Sequence, residues 1–140
     1  MRRAAILEDR SVVTLTGADA RDFLQGLVTA DLGQSTPGQA LYAALLTPQG
    51  KILFEFFILQ ENAERFLIDC ASSRAADLIK RLTLYRLRAK VTISPSDVSV
   101  AAVWGGNPVN ADGLLAYADP RWPELGQRLI GTRAQLEQAL

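Results

Sequence analysis

Two acids in this sequence sit where acids are costly. Glu55 is flanked by Phe54 and Phe56, with Leu53 and Phe57 next on its own strand face, and Asp69 follows Phe66-Leu67-Ile68. Strand pairing brings them together. With a first turn centred on Pro48-Gln49 and a second on Asn62, Tyr42 faces Glu55 and Glu55 faces Asp69, in one row across three strands. A slip of one residue would destroy the row. Directly opposed like charges destabilise a sheet, and two carboxylates in an apolar setting raise at least one pKa. Such a row suits a ring offering N–H donors, or an amine that develops positive charge, with Tyr42 as a stacking or hydrogen-bonding wall. The alternative is a solvated face on which each acid pairs with a nearby arginine such as Arg65.

The second feature is basic. In Tyr85-Arg86-Leu87-Arg88-Ala89-Lys90-Val91, a strand would place Arg86, Arg88 and Lys90 on one face and the apolar residues on the other. With Lys80 and Arg81 just before, this ribbon could hold an anionic tail such as a polyglutamate, or a stretch of nucleic acid. It could equally be the charged outer face of a half-exposed strand. Cys70 alternates onto the Phe66/Ile68 face and reads as a small core residue, not a nucleophile.

Composition removes other chemistry. The chain has no histidine and one cysteine, which excludes a Ser-His-Asp triad, histidine-ligated zinc, an internal disulfide and any multi-cysteine metal site. No metal site is expected. Fifteen basic and fifteen acidic residues balance to zero, which argues against nucleic acid or an anionic membrane surface as the main partner. No apolar run approaches a membrane span, and the one before Glu8 is too short for a secretory signal. These features predict a cytoplasmic protein.

The elements that must position these residues follow from period and turn chemistry. Ser11–Thr16 alternates as a strand. Thr16, with Asp19 three residues on, predicts a helix cap, and Ala20, Phe23, Leu24 and Leu27 predict a helix from about Ala18 to Leu27. Gly33 to Gly38 is a loop. Ala40–Leu46, Lys51–Leu59 and Arg65–Cys70 predict a three-stranded meander, with Thr47-Pro48-Gln49-Gly50 as its first turn and Gln60 to Glu64 as its second. Ser72 or Ser73 caps a helix bearing Ala75, Ala76, Ile79 and Leu82. Leu87–Ile93 and Val98–Trp104 predict strands around Ser94-Pro95-Ser96-Asp97. After the turn at Gly105-Gly106-Asn107-Pro108, Leu114–Ala118 and Gln127–Ile130 predict short strands, and Thr132 opens a helix. The order fits an α+β fold, an antiparallel meander with two to three helices.

Several stretches together resemble the YgfZ-type folate-binding family, which is related to the aminomethyltransferase (T-protein) of the glycine cleavage system. They are Gly17-Ala18-Asp19-Ala20 running into Asp22-Phe23-Leu24-Gln25-Gly26-Leu27-Val28-Thr29-Ala30-Asp31, then Tyr42 to Leu53, Leu84 to Val91, and Asp119-Pro120-Arg121. The resemblance implies a folate-binding α+β fold of two similar sub-domains, with residues 1–104 as the first and 105–140 as the start of the second. It implies tetrahydrofolate or another reduced folate as cofactor, with Tyr42, Glu55 and Asp69 as its binding residues. It also implies a non-catalytic accessory role in assembling or repairing iron–sulfur clusters in client proteins.

T-protein relatives carry a tyrosine where Tyr42 stands. They carry a pair of aspartates where Phe54 and Glu55 stand, and an asparagine where Asp69 stands. These departures put aminomethyl transfer in doubt, so a transferase remains an alternative, as does an RNA- or tRNA-contacting module using the basic ribbon. The Lys-Gly-Cys and Gly-Gln-Glu signatures of the family's second half have no match here. The resemblance therefore implies an N-terminal portion that lacks half the cavity, and exposed apolar surface predicts a homodimer or marginal solubility.

Overall fold

The computed structural model describes residues 2–34, 36–106, 109 and 113–140. The meander forms with its first turn where predicted, but its middle strand runs on through Asn62, so the second turn is Ala63-Glu64 and not Gln60 to Glu64. β3 (Ala40–Leu46), β4 (Ile52–Asn62) and β5 (Arg65–Ala71) run antiparallel, and the Gly50 amide closes the first turn onto the Thr47 carbonyl at 2.9 Å. β2 (Arg10–Thr16) pairs with β5, and β6 (Thr92–Ser96) pairs with the far side of β2. The five-stranded sheet thus has the order β3-β4-β5-β2-β6. Pro95, which cannot donate to a ladder, sits on the edge strand β6, where proline is tolerated.

A second sheet, ordered β1-β7-β9-β8, unites both ends of the chain. β1 (Arg3–Ile6) and β9 (Gln127–Gly131) flank β7 (Ser99–Trp104), and β8 (Leu115–Ala118) completes the sheet. The pairing of β7 with β9 crosses position 104, where the sequence suggested a sub-domain boundary. β1 was not expected. RAAI is too short to show a period, and its partner lies about a hundred residues on, Arg3 opposing Trp104.

The strand period of two assigns each residue a face. One face of the first sheet sends Val13, Leu15, Phe56, Phe66, Ile68 and Cys70 against α1 (Ala20–Gln25) and α2 (Ser72–Arg86), with Leu24, Leu78 and Leu82 buried beneath. The Cys70 thiol is in this core, as its alternation implied. The other face sends Val12, Leu59 and Leu67 against Val100, Tyr117 and Ile130 of the second sheet. On the second sheet's far side, α3 (Arg133–Ala139) buries Leu136 against Ala101, Val103 and Leu129. Thr132 caps α3 in the expected place, through a reciprocal capping box with Gln135.

The structure corrects several local expectations. Thr16 stays in β2 and is no cap. The N-cap of α1 is Asp19, whose side chain caps nothing and instead accepts the Lys90 backbone N–H at 2.7 Å. α1 is shorter than predicted, spanning Ala20–Gln25. The N-cap of α2 is Ala71, and Ser72 is its first helical residue, its amide held by the Asp9 carbonyl at 2.7 Å.

The strand expected at Leu87–Ile93 does not form. α2 runs on to Arg86 because Tyr85 continues its apolar stripe onto the core and nothing in TLYR stops a helix. Leu87 then breaks the helix at φ 47°, and β6 begins only at Thr92. Arg86, Arg88 and Lys90 therefore lie on a helix end and a turn and share no strand face; Arg86 reaches back to the Val91 carbonyl at 3.5 Å. The basic ribbon is lost. Gly105 and Gly106 form a bend after β7, while residues 107 and 108 of the expected turn lie outside the described residues.

Candidate functional site

Tyr42, Glu55 and Asp69 do share one face, but not one row. Tyr42 opposes Phe57, Glu55 opposes Ala44, and Asp69 opposes Phe57. Both turns lie further along the chain than the simple count assumes, and with the register shifts between Leu45 and Leu46 and between Gln60 and Asn62 both pairings end two residues from that count. Two is one strand period, so every side chain keeps its face while its neighbours change. Phe57 takes the centre of the row, and the two acids are not a directly opposed pair.

Asp69 is 1% exposed. Its Oδ1 accepts from Arg10 Nε at 2.8 Å; its Oδ2 accepts from Arg128 Nη1 at 2.5 Å and from the Tyr117 hydroxyl at 2.9 Å. Arg10 also donates to the Asp69 carbonyl at 2.8 Å. Neither Glu55 nor Arg65 is its partner: Arg65 pairs with Glu61. The charge of a buried carboxylate is tolerated because charged donors fill its lone pairs. Burial, followed by the Asp69 charge, pushes the Tyr117 phenol above its usual range, so it stays a donor.

Around Phe57 the cations gather. The guanidinium carbons of Arg128, Arg121 and Arg10 lie 4.5, 4.9 and 5.8 Å from its ring centroid, and the Tyr42 ring lies at 5.4 Å. Arg121 is anchored by Asp119, to which Nε and Nη2 donate at 3.1 and 2.8 Å. Burial works against the charge of Asp119, yet the hydrogen bonds from Arg121 outweigh it and hold the carboxyl below its usual range.

These groups wall a cleft of about 340 Å³ bounded by β4, the start of α2, Arg10 of β2, Arg121 of the loop before β9 and Arg128 of β9. Glu55 is exposed in it and is the one acid among its described lining residues. Tyr42 stands at its mouth, 44% exposed. The Tyr42 phenol is pushed up, foremost by its hydrogen bond with the Glu55 carboxylate. Tyr42 and Glu55 thus form an accessible pair, whereas Asp69 is sealed behind Phe57 and fully engaged. Among the described residues, no group of three or more histidine, cysteine, aspartate or glutamate side chains could hold a metal ion, and no helix is long and apolar enough to cross a membrane.

Arg10, Arg121, Arg128, Tyr117 and Asp119 were not singled out as site residues from sequence. A signal existed for two of them: Tyr117 and Arg128 each interrupt an apolar face of a short strand, and they oppose one another across the β8–β9 ladder. Arg10 carries no such signal, since it sits at the start of β2 in an exposed-looking EDRS stretch.

Known proteins share this sequence and fold. The chain is 33% identical over 144 residues to a mitochondrial iron–sulfur cluster assembly factor IBA57 homolog of Pyricularia oryzae, covering 94% of this chain and 37% of the relative. It is 35% identical over 147 residues to the mitochondrial iron–sulfur cluster assembly factor IBA57 of Homo sapiens, covering 89% and 41%. The tRNA-modifying protein YgfZ of Escherichia coli O157:H7 is 37% identical over 94 residues, covering 67% and 28%. The chain therefore spans well under half the length of these curated relatives. In fold it matches the crystal structure of the glycine cleavage system aminomethyltransferase T from Bartonella henselae at a TM-score of 0.82 and 15% identity. That match covers 99% of this chain and 45% of the other. The location in the names of the IBA57 relatives overturns the cytoplasmic expectation, which rested on composition and on the lack of a membrane span or secretory signal. Residues 1–116 match the GCVT N-terminal domain, and the chain belongs to that family.

Proposed function

We propose that this chain is the folate-binding N-terminal portion of an accessory protein in iron–sulfur cluster assembly, with reduced folate held in the cleft at Glu55. The observation carrying this reading is an accessible carboxylate beside a phenol in a cleft whose other charged lining residues are arginines, with aromatic and aliphatic side chains between them. The residues fit the ligand's chemistry. A reduced pterin presents adjacent N–H donors, which a carboxylate accepts in bidentate fashion, and ring acceptors, which guanidiniums satisfy. Glu55 accepts from the pterin edge, Tyr42 and Phe57 give an aromatic wall, and Arg121 and Arg10 face the ring acceptors.

Asp69 serves differently from the sequence-based expectation. It fixes Arg10 and Arg128 in place and touches the ligand only through them. The names of the relatives support the iron–sulfur assignment, and the family supports the folate.

Titration calorimetry with 5-formyltetrahydrofolate tests the reading. Saturable binding is expected, weakened more than about tenfold, roughly 1.4 kcal/mol, by Glu55→Gln. Binding that ignores the substitution would move the ligand out of this cleft. Absence of binding would remove folate from the function of this chain.

A further inference from the structure

The cleft continues beyond Glu55. Leu53, Phe54 and Arg74 line it and also line a second groove of about 340 Å³ that runs along α2. Arg74 is fixed at the junction. Its Nη2 donates to the Leu53 carbonyl at 3.1 Å, its Nη1 reaches Asp77 at 3.3 Å, and its guanidinium carbon lies 4.5 Å from the Phe54 ring centroid. Further along the same helix the groove is walled by Lys80 and Arg81, for which no ion pair is found among the described residues. Arg74, Asp77 and Arg81 stand at helical spacings of three, four and seven residues, so they share a face, with Lys80 at its margin. Three cations thus border a groove that holds one acid, and that acid is already engaged by Arg74.

We propose that this groove is the subsite for an oligo-γ-glutamate tail on the folate, which leaves the cleft past Arg74 and runs along α2 toward Lys80 and Arg81. The inference rests on the folate reading of the cleft. Each added γ-glutamyl unit brings one carboxylate, and a row of fixed and free cations beside an extended chain matches that repeating charge. Because the groove is open to solvent, each contact is weak and salt-screened, so the gain comes from several together.

The test titrates the 140-residue chain with 5-formyltetrahydrofolate bearing one glutamate and with the same folate bearing five. The wild-type chain is expected to bind the pentaglutamate about tenfold tighter, the advantage shrinking at high salt. In the Lys80→Glu/Arg81→Glu variant the two affinities converge, while monoglutamate binding changes by less than about twofold. Equal affinity for both forms in the wild-type chain, or an advantage that survives the double substitution, overturns the tail subsite alone. No binding of the monoglutamate overturns the folate reading and this inference with it.

Discussion

Asp69 of β5 and Arg128 of β9 meet at 2.5 Å across the interface between the two sheets. Arg10 closes on the same carboxylate from β2, and Tyr117 from β8. One acid therefore ties both sheets together at the edge of the cleft, and the same arginines present their guanidiniums to Phe57. The charge network that stabilises the sheet interface is also the wall of the candidate site.

Breaking that network by removing the acid is expected to be severe. Asp69→Asn keeps the shape but leaves Arg10 without its counter-charge and Arg128 with only the longer contact to Asp119 at 3.9 Å, a loss of about 3–5 kcal/mol. Tyr117→Phe removes only a hydrogen bond to a charged acceptor and should cost about 1.5–3 kcal/mol. Urea unfolding followed by circular dichroism measures both. A loss below about 1 kcal/mol for Asp69→Asn would show that the arginines find water or other partners, and that the network is not what joins the sheets.

Gly17 makes a second, independent prediction. It holds φ at +136°, and a Cβ there would come within 2.0 Å of the Lys90 carbonyl oxygen. The Gly17 amide bonds the Glu64 carbonyl at 2.9 Å, and Asp19 grips the Lys90 amide two residues later. Gly17→Ala therefore pays twice, in backbone strain and in pushing the 88–91 segment away, and should destabilise by more than about 2 kcal/mol. A variant as stable as the wild-type chain in a thermal melt would contradict the close approach.

Much of this was legible in the sequence, and the part that was not has a physical cause. The meander, the face of Cys70 and the Thr132 cap all follow from period and local turn chemistry. Register did not, because neither the actual turn centres nor the irregularities at Leu45/Leu46 and Gln60/Asn62 carry a composition signal. The partners of Asp69 were invisible for a different reason: Arg10 and Arg128 each lie 59 residues away, in opposite directions along the chain. The stretch from Arg86 to Lys90 alternates like a strand, yet Arg86 ends a helix and residues 87–90 form the turn after it, because Tyr85 had a core to pack against. Local pattern cannot see that core.

Glu55 should separate binding from stability. It is exposed, opposes Ala44, and pairs across no buried interface. Glu55→Gln is expected to change the unfolding free energy by less than about 0.5 kcal/mol, unlike Asp69→Asn. Parallel urea curves for the wild-type and Glu55→Gln chains would establish this. A loss above about 1 kcal/mol would show that Glu55 holds the fold, and any ligand effect of the substitution would then need a different explanation.

Alkaline pH should weaken the fold through Cys70. Burial pushes its thiol up from 9.0 to about 11, ahead of the opposing effect of Arg10. Between these values the unfolded chain releases the proton while the folded chain keeps it. Stability from the buried neutral thiol is thus fully present below pH 9 and is lost as pH rises toward 11. The raised Tyr117 phenol acts in the same direction above its ordinary value of 10.0. The urea midpoint should fall steadily across this window, and Cys70→Ala should flatten the fall by on the order of 2 kcal/mol. Thiol reagents at pH 8 should label Cys70 only as the chain unfolds, because the thiolate forms only outside the core. Parallel pH profiles for the wild-type and Cys70→Ala chains, or rapid labelling of the native protein, would show that the thiol is not held neutral by burial.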